Sequence, residues 1–220
     1  MKLETFSIGS KHFANEDRFV VQNMGIFGVT VVLADGMGGL SLGDKAAEVT
    51  TKSVADYLMR NYHGFGESEI LHKALEYADK ELRNVSIANK SKMGAAVAVV
   101  IVLGRHLYCT WQGNVRVYVR HDGNLNLVTE DHIAQIGYGM TALTRCVKGA
   151  GLRDDLPFVD YELADDDVVF LCTDGMYNVA ENCMLNSSVD EIKAKIGSPE
   201  DDASLIKITD IVVKDSRRMI

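Results

Sequence analysis

Val29-Thr30-Val31-Val32-Leu33-Ala34-Asp35-Gly36-Met37-Gly38-Gly39-Leu40-Ser41-Leu42-Gly43 is the stretch on which the reading of this chain turns. Its first six residues are apolar or β-branched and bounded by glycine, which spells a short buried strand over 29–34. The run stops at Asp35, a glycine-rich turn follows, and residues 44–62 then carry Ala47, Val54, Leu58 and Tyr62 at helical spacing. A carboxylate at the mouth of a buried strand is held rigidly, and glycines beside it let other groups approach the backbone. That construction suits a metal ligand. It equally describes an ordinary strand-to-helix turn with Asp35 as a turn residue.

Outward from this stretch, residues 3–8 and 19–21 read as short strands. A second helix starts near Ser68 and puts Leu71, Ala74, Leu75, Ala78, Leu82 and Val85 on one face. Residues 95–103 and 106–111 read as strands joined at Gly104-Arg105. Residues 115–120 and 125–128 read as another pair, around the hairpin signal Asp122-Gly123. Residues 129–160 are mixed and glycine-rich, so loops with at most a short helix are expected there. Residues 168–172 form an apolar strand, 176–185 and 189–196 short helices, and 204–213 a closing strand. Two blocks of antiparallel strands around two consecutive helices make an α+β pattern, not a βαβα alternation.

The chain has 220 residues, 47% hydrophobic and 25% charged, which fits one folded domain over 1–220. A formal charge of −8 argues against nucleic acid or an anionic membrane as partner, since both want a basic face. Cys109, Cys146, Cys172 and Cys183 show no Cys-x-x-Cys spacing, and three of them lie in or beside apolar runs, as buried free thiols do. The first residues lack the apolar core of a secretory signal, and the longest apolar run, 95–103, is too short to span a bilayer as a helix. A cytoplasmic, monomeric protein is expected.

The strand ends share a feature. Asp35 closes one apolar run and Asp174 another, Asp201-Asp202 stand before the last strand, and Glu16-Asp17 stand before an early one. Taken singly, each acid reads as a solvated turn residue. If the ends converge, the carboxylates form a cluster that needs a counter-ion, and oxygen ligands suit Mg²⁺ or Mn²⁺.

In order along the chain stand Asn15-Glu16-Asp17, Asp35-Gly36-Met37-Gly38-Gly39, Leu143-Thr144-Arg145, Thr173-Asp174-Gly175-Met176 and Asp201-Asp202-Ala203-Ser204. This set resembles the metal-dependent protein phosphatases of the PPM (type 2C) family, above all the compact bacterial members. Gly113-Asn114-Val115-Arg116 falls where the family has Gly-Asp-Ser-Arg, and Thr129-Glu130-Asp131-His132 resembles its Thr-x-Asp-His segment. The resemblance implies a four-layer sandwich of two antiparallel β-sheets flanked by α-helices. It also implies two Mn²⁺ or Mg²⁺ ions in a cleft at one end. By position, Asp35 would bridge both ions, the carbonyl of Gly36 would ligate one, and Asp174 and Asp201 would complete the other. Glu16 and Asp17 would act through bound waters. The implied reaction is hydrolysis of phosphoserine or phosphothreonine on a phosphorylated protein by a hydroxide shared between the ions, countering a Ser/Thr kinase.

The chain departs from the family in places. His12, with Lys11 beside it, stands where the family grips phosphate with arginine, and neither offers the planar fork of a guanidinium. Asn114 replaces the aspartate associated with a third metal. Met37 stands where many eukaryotic members place a histidine. The stretch from His132 to Leu143 leaves little room for the flap of bacterial relatives, and Gly94-Ala95-Ala96 replaces Gly-Thr-Thr as a packing change. These departures keep a rival open: a catalytically weak or inactive regulatory or phosphate-binding module. The joint presence of Asp35, Asp174 and Asp201 opposes it. A nucleotide-binding glycine loop is rejected, because Asp35 would repel phosphate and no Gly-Lys-Ser/Thr ending follows. Trp111 reads as core, His132 as a loop histidine, His106 as a strand-edge residue, and Lys214, Arg217 and Arg218 as a solvated end.

Overall fold

The computed structural model describes residues 1–37, 42–64, 66–137, 140–153 and 155–211. Gly38, Gly39, Lys214, Arg217 and Arg218, singled out in the sequence, lie outside the described residues. The strands are β1 (Lys2–Ile8), β2 (Arg18–Asn23), β3 (Val29–Gly36), β4 (Ala95–Leu103), β5 (His106–Gln112), β6 (Arg116–His121), β7 (Asn124–Leu127), β8 (Ile133–Gly137), β9 (Met140–Leu143), β10 (Val159–Glu162), β11 (Val168–Cys172) and β12 (Ala203–Thr209). The α-helices are α1 (Gly43–Asn61), α2 (Glu67–Asn89), α3 (Asp174–Ala180) and α4 (Val189–Ile196). One sheet runs β1-β12-β11-β6-β7 and the other β10-β5-β4-β3-β2, and all their pairings are antiparallel.

Four layers follow from which face each strand residue takes. On β3 and β4, Val32, Ala34, Val97, Val99 and Ile101 pack against α1 and α2 through Val54, Leu58, Leu71, Leu75 and Leu82. The alternate residues Val31, Leu33, Ala98 and Val100 face the second sheet, meeting Val117, Val119, Val169, Leu171, Ile206 and Ile208. The outer face of that second sheet presents Phe170, Cys172 and Leu205 to Met176 of α3, Ile192 of α4 and Met184 in the 3-10 turn Glu181–Leu185 between them. Strands covered on both faces have no polar side to alternate with, which is why residues 95–103 read as one continuous apolar run. Cys109, Cys146 and Cys172 are buried free thiols, as expected. Among the described residues no helix is long and apolar enough to cross a membrane.

Two expectations are corrected. Among the described residues of 129–160 there is no helix; the range contains the separate hairpin β8–β9 and the start of the edge strand β10. The hairpin's two-residue period is broken by an irregularity between Gln135 and Gly137, so its sequence does not alternate cleanly. The closing strand ends at Thr209, where Asp210 turns the chain with φ 51°.

An unanticipated anchor steadies the loop beside β4. Asp79, on the buried face of α2, accepts hydrogen bonds from the backbone N–H groups of Lys148 (3.1 Å), Gly149 (2.7 Å) and Gly151 (2.8 Å). Gly149 and Gly151 take left-handed φ values of 71° and 85°, which lets successive amides turn toward one carboxylate. Asp79→Ala would leave these amides without their acceptor, at a cost of about 3 kcal/mol. Chemical denaturation should read this as a drop in midpoint; an unchanged midpoint would mean the loop is held by other contacts.

Candidate active site

The antiparallel registers bring several strand ends to one end of the sandwich. In one sheet Gly36 pairs with Ala95 and Arg18 with Ala34, so Asp35 closes β3 next to the start of β2, where Glu16 and Asp17 stand. In the other sheet Cys172 pairs with both Arg116 and Leu205, so Asp174 after β11 lies between Asn114 before β6 and Asp201 before β12. Thr173, fully buried, joins the two groups. Its hydroxyl donates to Asp17 Oδ2 at 2.9 Å and accepts from the backbone N–H of Ser204 at 2.9 Å.

The acids feel one another. Asp35 is pushed well above the ordinary carboxylate range, first by burial and then by the charges of Asp17, Asp174, Asp201 and Asp202. Burial and the charge of Asp201 raise Asp174, opposed by a backbone N–H from Gly175 and by Asn114, whose Nδ2 donates to Asp174 Oδ2 at 3.0 Å. Asp17 is raised chiefly by burial, and its Oδ1 is buried with no hydrogen-bond partner. Among the described residues no three His, Cys, Asp or Glu side chains already close into a chelate. The donor chemistry nevertheless fits a hard divalent cation: several carboxylates, one buried oxygen with a free lone pair, and charges that destabilise one another without a counter-ion.

Asp202 differs from its neighbour. It is buried, and its two oxygens accept from the backbone N–H groups of Ser10 and Glu16, each at 2.6 Å, so its carboxylate clamps the 10–16 loop to the start of β12. Asp201 is exposed and accepts a local bond from the N–H of Asp202 at 2.9 Å. The Glu16 carboxylate lies against Gly43 at the start of α1, where Leu42 at the N-cap offers no side-chain acceptor. Burial and the charges of Asp202 and Asp44 raise its pKa, opposed by the backbone N–H groups of Asp44 and Gly43. Glycine at 36 is required by space, since a Cβ there would sit 2.3 Å from the Gly43 carbonyl oxygen and 2.9 Å from that of Glu16.

Lys11 and His12 stand on the same clamped loop. The Lys11 amine and His12 Nε2 both engage the exposed carboxylate of Glu200, His12 at 3.0 Å. Cys172, two residues before Asp174, is buried, and burial pushes its thiol far up, which removes it as a nucleophile.

Arg116 and Asp131, which belong to two of the sequence motifs, meet Tyr118, Tyr177 and Glu181, which no motif singles out. Arg116 pairs in bidentate fashion with Asp131, through Nε at 3.1 Å and Nη2 at 2.8 Å, and its Nη1 donates to Glu181 at 3.1 Å and to the Tyr118 hydroxyl at 3.0 Å. Its guanidinium lies 3.8 Å over the Tyr177 ring, and the Tyr177 hydroxyl donates to the Asn114 carbonyl at 3.2 Å. The cation thus braces α3 against the segment that carries Asn114. His132 is half-buried, stacks on Trp111, and accepts from the Gly113 N–H through Nδ1 at 3.1 Å. Burial holds its pKa below the usual histidine value, which suits the neutral ring that this bond requires.

Compared with known proteins, residues 9–208 match the family described as Protein phosphatase 2C. A Streptococcus pyogenes serotype M6 protein, provisionally named as protein phosphatase 2C-type, is 27% identical over 129 residues, which are 57% of this chain and 52% of that protein. The chain therefore spans about half the length of the curated relative it matches. Among solved structures, the S. agalactiae serine/threonine phosphatase superposes with a TM-score of 0.80 at 17% identity, over 94% of this chain and 98% of that one. The catalytic domain of the serine/threonine protein phosphatase PstP in complex with 2 manganese ions superposes with a TM-score of 0.76 at 20% identity, over 93% and 96%. The α+β sandwich expected from the sequence is the fold of these phosphatases.

Proposed function

We propose, from the premise that this chain belongs to the protein phosphatase 2C family, that it is a Mn²⁺- or Mg²⁺-dependent phosphoprotein phosphatase acting on phosphoserine and phosphothreonine. The observation that carries this reading is that the strand registers bring Asp17 and Asp35 of one sheet and Asp174 and Asp201 of the other to one end of the sandwich, where burial first and then the neighbouring charges raise Asp35. Two hard cations suit that donor set. Asp35, the carbonyl of Gly36, Asp174 and Asp201 are the residues that would hold them, with Glu16 and Asp17 acting through water. When bound, such ions supply an activated water and offset negative charge on phosphoryl oxygens.

The chain's own groups do the positioning. Asn114 fixes one oxygen of Asp174 by its hydrogen bond. Asp202 is consumed by two backbone amides, which favours Asp201 as the open ligand of the pair. Lys11 and His12 are the candidate phosphate contacts, and an incoming phosphate would compete with Glu200 for them. A phosphorylated protein, modified by a Ser/Thr kinase, is the substrate class.

Hydrolysis of p-nitrophenyl phosphate and of a phosphothreonine peptide, measured with Mn²⁺, Mg²⁺ and EDTA, tests the reading. Turnover that needs the cation and stops in EDTA is expected. Folded protein that is inert with every metal across pH would instead favour a regulatory or phosphate-binding module.

A further inference from the structure

Apolar groups stand exposed on both sides of the acids. Phe13 is 81% exposed, and on the β8–β9 hairpin Ile133, Ile136 and Met140 are 40%, 59% and 55% exposed. Residues 133–143, Ile-Ala-Gln-Ile-Gly-Tyr-Gly-Met-Thr-Ala-Leu, contain no charged residue in a chain that is 25% charged. Water solvates such a surface poorly, and a two-stranded hairpin gains little stability by itself. Every described residue of β8 is exposed, and the hairpin reaches the core through Leu143 at the end of β9, so burial does not explain the apolar Ile133, Ile136 and Met140.

Both features are fixed relative to the acids. The Phe13 loop follows β1 and is pinned at Ser10 and Glu16 by Asp202, at Lys11 by the Pro199 carbonyl (3.0 Å) and at Phe13 itself by the Ser10 hydroxyl (3.1 Å). The hairpin springs from His132, whose N–H donates to the Gly113 carbonyl at 3.0 Å, and returns at Thr144, whose N–H donates to the His132 carbonyl at 2.8 Å. Gly113 precedes Asn114, the partner of Asp174. In the sheet order β1-β12-β11-β6-β7, the Phe13 loop therefore lies at the β1–β12 side and the hairpin at the β6 side, with Asp174 after β11 between them. Two to three strand spacings separate the sides, about 10–15 Å, which an extended peptide covers in about three to five residues.

We propose that Phe13 on one side and Ile133, Ile136 and Met140 on the other select phosphorylated segments with apolar side chains about two positions before and after the phosphorylated residue. The inference rests on the phosphatase reading and names its substrate class. A rigidly held exposed aromatic opposite an uncharged hairpin offers apolar contacts at both ends of a short extended segment, while Lys11, His12 and Glu200 beside Phe13 pair with one another.

The test uses three phosphothreonine nonapeptides that differ only at positions −2 and +2, bearing Leu, Asp or Lys at both, with p-nitrophenyl phosphate as internal standard. Wild-type protein should turn over the Leu peptide with kcat/KM about tenfold above either charged peptide. Phe13→Ser and Ile136→Ser should each lower the ratio of Leu-peptide to p-nitrophenyl phosphate kcat/KM, and the double variant should erase the peptide preference. Equal use of the three peptides, or unchanged ratios in the variants, overturns the proposal while leaving the phosphatase reading intact. A preference for the Lys peptide also overturns it, because selection would then follow the net negative charge. Wild-type protein that hydrolyses neither p-nitrophenyl phosphate nor peptide removes the phosphatase reading and the proposal with it.

Discussion

Asp35→Asn should abolish hydrolysis and, at the same time, make the metal-free protein more stable. The first effect follows from its place at the centre of the coupled acids, and a loss of about 10³-fold is expected for removing one such group. The second follows from repulsion. Asp17, Asp35 and Asp174 are all raised above the ordinary carboxylate value, chiefly by burial, so the native state binds protons that the unfolded state releases near pH 4. Stability carried by these groups is present in full below that pH and is lost as pH rises through the folded-state values, about 7 for Asp17. The metal-free wild type should therefore melt at lower temperature at pH 8 than at pH 5.5. Asn at 35 removes one of the repelling charges, flattens that slope, and raises Tm at pH 8 by roughly 2–4 °C for each kcal/mol gained. Mn²⁺ should raise the Tm of the wild type and leave that of the variant nearly unmoved. A variant less stable than wild type without metal, or one that still gains from Mn²⁺, would falsify the shared-cation account.

That the acids meet was legible only in part. The strand ends were visible because both sheets are buried on their inner faces, which leaves apolar, Val-rich runs that stop abruptly at Asp35 and just before Asp174. Sequence order also carried the family resemblance. It could not separate Asp201 from Asp202, since the difference lies in the amides of Ser10 and Glu16, residues nearly two hundred positions away in the chain. Asp79 was hidden for a related reason. Helical periodicity finds the apolar face of α2 and passes over a carboxylate on that face whose partners are loop amides around Gly149. The β8–β9 hairpin escaped because its irregularity near Gly137 breaks the two-residue period on which strand recognition depends. Arg116 and Asp131 were each noticed within their own motifs, but only the folded chain joins them into one brace with Glu181 and Tyr177.

Gly175→Ala is the sharpest test of how the two acids at 174 and 201 are brought together. Alanine is the better helix former by about 1 kcal/mol, so local propensity predicts a more stable first turn of α3. Space predicts the reverse. A Cβ at 175 would lie 2.3 Å from the Asp202 carbonyl oxygen and 2.8 Å from that of Asp201, and backbone oxygens cannot rotate aside as a side chain could. Either α3 or the 201–202 turn must move, which separates Asp174 from Asp201 and loosens the clamp that Asp202 makes on the 10–16 loop. Overpacking of this kind costs about 1–3 kcal/mol, and the expected result is a lower denaturation midpoint with loss of both hydrolysis and the Mn²⁺-induced rise in Tm. Val179→Ala serves as the control, being half-exposed on the same helix and away from the turn, with an effect within about 0.5 kcal/mol. If Gly175→Ala keeps its stability and its response to Mn²⁺, the close approach of α3 to the turn is not what sets the spacing of Asp174 and Asp201. If it loses both while Val179→Ala loses neither, the glycine of this Asp-Gly pair is there to let two backbones touch, so that two carboxylates from different parts of the chain can face one ion.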